Sequence, residues 1–279
     1  MDYQNILVHL DASKAMSQRV EAALYVSKRF NARLTGLFNV FQPAVEPLSM
    51  ITKPPEYRYA SEMLRAEYQE AEESMFRKAL ARTGIDGDWN FSRLPPNLVM
   101  PRAARLADLV IAGQYDQDDR ESFIADQFIE NLILSCGRPV LVVPYAGRFP
   151  EIGGTVCVAW DGSREASRAV HDALPFLVQA RKVVVFSINA SSAEIDAPRI
   201  DGSQIAAAVA QHGANVVIEE IDGVRDISNG NLLLSRAADF GADMIVMGCY
   251  GHARWRELFL GGVTRTILKS MTVPVLMSH

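Results

Sequence analysis

The sequence MIVMGCYGHARWRELFLGGVTRTIL, residues Met244–Leu268, contains an apolar strand, a glycine-containing loop and the start of a helix. The predicted strand Met244–Met247 runs into Gly248, Gly251 follows after two residues, and Gly261 comes after nine more. Short apolar runs that lead through such loops into helices are typical of α/β folds. The stretch therefore predicts an α/β fold with a glycine loop at the carboxyl end of a strand.

The helix predicted after this loop, Val263–Ser270, gives the loop a chemical preference. Glycines allow close backbone approach, and a helix N-terminus offers free N–H groups and the positive end of its dipole. An anion such as phosphate suits this arrangement. The alternative is that the glycines only form a loop and open a helix. No G-x-G-x-x-G follows a strand, and no G-x4-G-K-[ST] occurs.

The chain repeats itself. NILVHLDAS (Asn5–Ser13) aligns with TVCVAWDGS (Thr155–Ser163) at an offset of 150 residues. ADLVIAGQY (Ala107–Tyr115) aligns with ADMIVMGCY (Ala242–Tyr250) at an offset of 135. A repeat of this length indicates two copies of one domain, because solenoid repeats are far shorter.

Each copy alternates five short apolar runs with helical patterns, which indicates a parallel sheet covered by helices on both faces. Residues 64, 68, 71, 75 and 79 form an apolar stripe at helical spacing, expected to face the core, and Gly84 is expected to end that helix. The predicted strands are Ile6–Leu10, Leu34–Val40, Trp89–Leu94, Leu109–Ala112, Val140–Val143, Thr155–Trp160, Val183–Ile188, Val216–Ile221, Met244–Met247 and Val273–Met277.

The spacing Gly-x2-Gly-x9-Gly resembles the nucleotide-phosphate loop of the universal stress protein family, and the resemblance covers nearly the whole chain. It implies two tandem Rossmann-like or flavodoxin-like domains, at residues 1–146 and 152–279, each with a five-stranded parallel sheet in the order 3-2-1-4-5. The family motif continues with Ser or Thr, whereas this chain has Gly262. A hydroxyl contact to the terminal phosphate is therefore missing, although the N–H groups of Gly262 and Val263 remain.

The resemblance also implies a ligand and a site. The ligand is ATP, or ADP or AMP, with Mg²⁺ expected to bridge the phosphates, and the site lies in the second domain. Asp161 matches the family Asp that contacts adenosine, and a capping role in D-G-S before a helix is compatible with that contact. The expected nucleotide-binding residues are Asp161, Asn189 on the adenine side, Gly248, Gly251, Gly261, Gly262 and Val263.

The first half departs from this pattern. Gly113 matches Gly248, but Asp116 replaces Gly251 and Asp126 replaces Gly261. A carboxylate about 4 Å from a phosphate charge is repelled by about 4 kcal/mol at an effective dielectric of about 20. We therefore expect the first half to have lost nucleotide binding. Asp126 is also a candidate N-cap of the helix predicted at Gln127–Cys136.

Composition and charge limit the function further. A net charge of −5 argues against a general nucleic-acid binder. No apolar run reaches the length of a membrane span and no signal peptide is visible, so a cytoplasmic protein is expected. The cations His252, Arg254 and Arg256 either neutralise phosphates or form a solvated face.

Catalytic motifs are missing from the sequence. The five histidines show no metal-binding spacing, and no nucleophile elbow is present, so we expect at most slow ATP hydrolysis. Three cysteines without C-x-x-C spacing are expected to be reduced core thiols, with only Cys249 within reach of an oxidant. Two functions stay open: a nucleotide-binding stress-response regulator that acts on protein partners, or an interaction module that binds no nucleotide.

The fifth strands predict how the halves assemble. Val140–Val143 and Val273–Met277 are each the last strand of a 3-2-1-4-5 sheet, where an unpaired apolar edge favours aggregation. The linker Tyr145–Glu151 is short. We therefore expect an intramolecular pseudo-dimer in which the two fifth strands pair, with homodimerisation of the whole chain as a further possibility.

Overall fold

A computed structural model describes residues 2–39, 55–119, 127–189, 200–222, 228–250 and 262–279. The strands are β1 (Asn5–Leu10), β2 (Arg33–Asn39), β3 (Gly87–Ser92), β4 (Leu109–Gly113), β5 (Val140–Val143), β6 (Thr155–Trp160), β7 (Lys182–Asn189), β8 (Val216–Asp222), β9 (Met244–Gly248) and β10 (Val275–Ser278). The helices are α1 (Met16–Phe30), α2 (Pro55–Thr83), α3 (Pro96–Ala104), α4 (Phe128–Cys136), α5 (Arg164–Asp172), α6 (Leu174–Gln179), α7 (Gly202–Gln211), α8 (Asn229–Asp239) and α9 (Gly262–Ser270).

All ten strands lie in one sheet with the order β3-β2-β1-β4-β5-β10-β9-β6-β7-β8. Every pair is parallel except β5 with β10. The predicted α/β class is confirmed, and the order within each half reads 3-2-1-4-5 from its outer edge inward. The sheets are not separate, however: the two sets of five strands join into a single sheet.

The join is the predicted pairing of the fifth strands. Val275 pairs with Val142, Leu276 with Leu141, and Met277 with Val140, and all of these side chains are buried. Each strand thereby covers the apolar edge that the other would expose. Because β5 and β10 are antiparallel, the carboxyl ends of the strands in the two halves lie at opposite edges of the sheet.

Two apolar layers cover the two faces of the sheet, because successive strand residues point to opposite sides. Ile6 and Val8 belong to one layer and Leu7 to the other. Both layers run through both halves: Phe30 of α1 packs edge-on against Phe176 of α6 in the first layer. The halves therefore share their core.

Two details of the helices differ from the predictions. Helix α2 ends before Gly84 as expected, but Tyr68 of the predicted stripe is 54% exposed and Phe76 is fully buried instead. Helix α4 begins at Phe128 with Gln127 at the N-cap position, whereas Asp126 lies outside the described residues. The packing surface of α2 is thus rotated from the stripe that was predicted. Within the described ranges, no helix is both long and apolar enough to cross a membrane.

Candidate functional site

Asp161 and Gly248 lie at the carboxyl edge of neighbouring strands in the second half. Strand β6 ends at Trp160 and β9 ends at Gly248, and the two strands pair up to Ala159 and Met247. The chain leaves β6 for β7 on one side, while β9 lies on the other. This is the topological switch point, where parallel α/β sheets bind ligands.

The side chain of Asp161 is exposed at this edge. Its Oδ1 accepts a hydrogen bond from the Ser163 N–H at 2.9 Å, which closes a local turn. Ser163 is the N-cap of α5, since its Oγ accepts from the Ala166 N–H at 3.1 Å. Capping therefore belongs to Ser163, and the Asp161 carboxylate is accessible to a ligand.

Gly248 permits a close contact between β9 and α5. A Cβ at this position would lie 2.3 Å from the Ala166 nitrogen and 2.4 Å from the Glu165 carbonyl carbon, so a side chain cannot fit. The first turn of α5 thus packs directly on the end of β9. Glycine here follows from packing as well as from any ligand.

Gly262 is the first residue of α9 and is exposed, and Val263 is half-buried. A Cβ built on Gly262 meets no atom within 4 Å. A side chain therefore fits at Gly262, although the family hydroxyl is missing. Free N–H groups at such a helix start suit an anion.

The structure places only some of the predicted site residues. Gly251 and Gly261 lie outside the described residues, as do His252, Arg254 and Arg256. Asn189 is the last residue of β7, at the same edge of the sheet as Asp161. Asp161 and Gly248 are brought together, and the others stay predictions.

Cys249 is buried rather than within reach of an oxidant, which corrects the sequence-based expectation. Burial raises the pKa of its thiol far above the ordinary value, although a hydrogen bond with Thr264 partly lowers it.

The next residue, Tyr250, has φ of 63° and a buried hydroxyl without a hydrogen-bond partner in the described part of the chain. Burial, and then the Glu130 carboxylate of the first half, raise the pKa of Tyr250. Tyr250 is therefore close enough to the first half for the Glu130 carboxylate of α4 to act on it.

The equivalent edge of the first half is filled by a side chain that the sequence analysis missed. Asp11 is the counterpart of Asp161, but it is buried and bonded to Arg19 of α1 at 3.1 and 3.2 Å. Arg19 is 2% exposed. Its position could have been noticed, because Arg19 lies on the same helical stripe as the buried residues Ala23, Val26 and Phe30.

The burial of these charges has electrostatic consequences. Burial lowers the pKa of His9 from 6.5 to about 4, with Asp11 opposing and Arg19 adding to the decrease. Burial would raise the pKa of Asp11, but the charges of Arg19 and His9 and hydrogen bonds from Arg19 and Ser13 lower it overall. At neutral pH the cluster therefore holds an ionised Asp11, an ionised Arg19 and a neutral His9.

Asp119 adds a second carboxylate to the same region. Its Oδ2 accepts a hydrogen bond from the Lys14 N–H at 2.8 Å, and its side chain is buried. By contrast, Asp116 accepts from the Asp118 N–H in a local turn at the surface. Asp119 thus reaches the loop before α1, whereas Asp116 does not take part in the cluster.

A cavity of about 610 Å³ lies elsewhere, between the starts of β1 and β5 and the helices α5 and α6. Tyr3, Asp108 and His171 are among its lining residues, and Asp161, Gly248 and Gly262 are not. The described residues contain no cluster of three or more metal-ligating His, Cys, Asp or Glu side chains. The candidate site therefore lies at the switch point, where Asp161 is exposed beside the end of β9.

Comparisons with known proteins agree with this fold. A universal stress protein from Archaeoglobus fulgidus DSM 4304 has 16% identity and a TM-score of 0.72, with 98% of this chain and 95% of that chain covered. A protein of Pseudomonas aeruginosa UCBPP-PA14 assigned to the universal stress proteins has 16% identity and a TM-score of 0.59, with 99% and 93% covered. At this identity the likeness establishes the fold. No curated protein matches the sequence.

The family model of the universal stress protein family matches residues 154–279. These residues contain β6 to β10, with Asp161, Gly248 and the start of α9. The first half repeats the same strand order and lies in the same sheet. The second half therefore matches the universal stress protein family, and it is joined to a first half of the same fold.

Proposed function

We propose that the second half binds an adenine nucleotide, ATP or its products ADP and AMP, and that the bound nucleotide regulates contacts with protein partners in a stress response. The observation that carries the proposal is the exposed Asp161 carboxylate beside the end of β9. In the first half, the matching carboxylate of Asp11 is already paired with Arg19. A free carboxylate at the switch point suits the hydroxyl groups of a nucleoside, which donate hydrogen bonds to it.

The phosphates would lie at the start of α9. The exposed Gly262 and the neighbouring Val263 offer N–H groups and the positive end of the helix dipole. Gly251 and Gly261 would complete the loop, and Asn189 would line the adenine side. A Mg²⁺ ion would be held by the phosphates, since the described residues supply no metal cluster.

The candidate bases among the described residues each have a hydrogen-bond partner or lie at the other cavity. Asp161 accepts the Ser163 N–H, His171 and His212 line the other cavity, and the Nδ1 of His279 is hydrogen-bonded to the Cys249 carbonyl, beside Gly248, at 3.0 Å. The proposed role is therefore binding, with turnover at most slow. The nucleotide would act by its presence or absence.

Two substitutions at Gly262 test the proposal, because this position has space for a side chain. Gly262→Asp places a carboxylate at a helix start, which favours the helix but repels phosphate. Gly262→Ser restores the hydroxyl that the family motif carries. Calorimetry with ATP and Mg²⁺ should show an affinity at least about tenfold weaker for Gly262→Asp than for wild type, and a tighter affinity for Gly262→Ser.

Gly251→Asp, which copies Asp116 of the first half, should also lose ATP. Binding that is equal in wild type, Gly262→Asp and Gly251→Asp would refute the proposed site. No binding by the wild type at any Mg²⁺ concentration would refute the nucleotide itself.

The second candidate is an interaction module that has lost nucleotide binding. Gly262 in place of Ser or Thr supports this candidate. Chromatography of the small molecules released from freshly purified, denatured protein discriminates the two functions. Stoichiometric adenine nucleotide supports the first, and its absence together with failed titration supports the second.

A further inference from the structure

The two terminal nitrogens of the Arg19 guanidinium are bonded to acceptors from a single segment of the first half, whereas its buried Nε has no partner in the described part of the chain. The guanidinium donates to the His9 carbonyl at 2.9 Å, to Ser13 Oγ at 2.9 Å and to both Asp11 carboxylate oxygens. The His9 Nδ1 is 3.2 Å from Arg19 Nη1, the nitrogen that also donates to the His9 carbonyl, and therefore accepts from it. A buried charge with this many charge-assisted hydrogen bonds is a built arrangement rather than a packing accident.

The acceptors are also held by contacts that do not involve Arg19. Asp11 Oδ1 takes the N–H of Ser13 at 3.1 Å and also its hydroxyl, so the carboxylate is held by its own turn. His9 is fixed in β1, with its ring 4.9 Å from that of Phe128. Arg19 is the only one of these groups that comes from the helix.

Strand β4 supplies the wall of the same space. A Cβ on Gly113 would lie 2.7 Å from Arg19 Nε and 2.8 Å from Cζ. In the second half, the corresponding Gly248 meets the backbone of α5 instead, and Ala169 takes the position equivalent to Arg19. Gly113 thus borders a slot that only the first half has, and the planar guanidinium fills it.

We propose that the first half contains a guanidinium-binding site, formed by Asp11, Ser13 and the His9 carbonyl, which the chain occupies with its own Arg19. A planar fork of N–H donors fits these acceptors, and an ammonium or a neutral amide does not. The inference goes beyond the proposed function, because it does not depend on nucleotide binding. It also explains why Asp11 is unavailable to any ligand from solution.

Removal of the occupant tests the site. Arg19→Ala should unfold at a lower temperature than wild type, and millimolar guanidinium chloride should raise its Tm by about 3 °C over equal NaCl, since a ligand of the native state stabilises it. Urea has the same shape without the charge and should give no such rise. In wild type, where the slot is filled, guanidinium should give no rise either.

Two further variants complete the test. Leu24→Ala leaves an apolar gap in the same helix and should not be rescued by guanidinium, because Leu24 is buried among hydrophobic residues. Arg19→Lys keeps the charge but not the planar fork of donors. Guanidinium should raise its Tm by less than it raises the Tm of Arg19→Ala. If Arg19→Ala does not fold, recovery of soluble, folded protein on refolding with guanidinium but not urea supports the site.

The proposal is overturned if Arg19→Ala keeps the Tm of wild type. It is also overturned if guanidinium stabilises or recovers the variant no better than NaCl or urea. Neither result bears on ATP binding by the second half, so the two proposals can fail separately.

Discussion

Asp11 and Asp161 occupy equivalent positions at the ends of β1 and β6, yet Asp11 is buried and Asp161 is exposed. Each accepts the N–H of the Ser two residues later, at 3.1 and 2.9 Å. The local turn is therefore the same, and the two carboxylates differ in that Asp11 is paired with Arg19, whose counterpart in the second half is Ala169. The same sequence element thus forms a closed polar cluster in one half and an accessible carboxylate in the other.

The buried His9 should make stability depend on pH. Its pKa in the folded protein is about 4 instead of 6.5, so between these values the unfolded chain binds the proton and the folded chain does not. The contribution of His9 to the free energy of unfolding is therefore constant above pH 6.5. It falls as the pH decreases towards 4, by about 3 kcal/mol in total. Urea unfolding of wild type and His9→Asn across this range measures the effect.

The variant should lose this part of the pH dependence, because Asn does not titrate. His171→Asn, at an exposed position, is the matched control and should keep the wild-type slope. Identical slopes for wild type and His9→Asn would contradict the assignment of a neutral, buried His9.

Gly113→Ala should be destabilising, by about 1 to 3 kcal/mol, because the added methyl group meets the Arg19 guanidinium. In an Arg19→Ala background the slot is empty, so the same substitution should cost much less. A double-mutant cycle from denaturant unfolding measures the coupling, which should exceed about 1 kcal/mol. Additive effects would show that Arg19 does not lie against Gly113.

The three cysteines should resist thiol reagents in the folded protein. All are buried, and burial raises the pKa of Cys157 to about 12 and that of Cys249 further still. Reaction with a thiol reagent at pH 8 should therefore follow unfolding, since the thiolate is the nucleophile. Rapid modification of one thiol per native chain, abolished by Cys249→Ser, would show that the glycine loop exposes it.

The pairing of β5 with β10 predicts the behaviour of a fragment. Residues 152–279, the proposed second domain, would expose the β10 edge that Leu141 and Val142 cover in the full chain. The isolated fragment should therefore dimerise through β10, as measured by sedimentation at micromolar concentration. A monomer that stays soluble would contradict this and would indicate that the edge is protected in another way.

Much of the fold could be predicted from the sequence, for physical reasons. Most of the ten strands are predictable because they are short apolar runs between helical patterns, whereas β3 mixes polar and aromatic residues and lies at Gly87–Ser92 instead of the predicted Trp89–Leu94. The β5–β10 pairing is predictable because two apolar edges need partners. The rotation of α2 was not predicted. Tyr68 and Phe76 are both aromatic, and Phe76 is the one that packs on the sheet, against Trp89 and close to Gly36.

The candidate site could be predicted in part. Asp161 and Gly248 were recognised because strand ends in a parallel sheet share one edge. Arg19 was missed because its partners, Asp11 and Ser13, are brought to it only by the crossing of α1 over the sheet. The burial of Cys249 is not predictable from its glycine neighbours, which favour an open loop, because it depends on the core around it and on the hydrogen bond with Thr264.

The stoichiometry of ATP binding to the full-length chain tests the central claim most directly. Equilibrium dialysis or calorimetry with Mg²⁺ should give one ATP per chain, and Asp161→Asn should weaken it by at least about tenfold, as expected for loss of a charge-assisted hydrogen bond. Asp116→Asn in the first half should leave it unchanged. Two ATP molecules per chain, or binding of one ATP that does not weaken in Asp161→Asn, would contradict the claim that only the second half has an exposed carboxylate at its switch point.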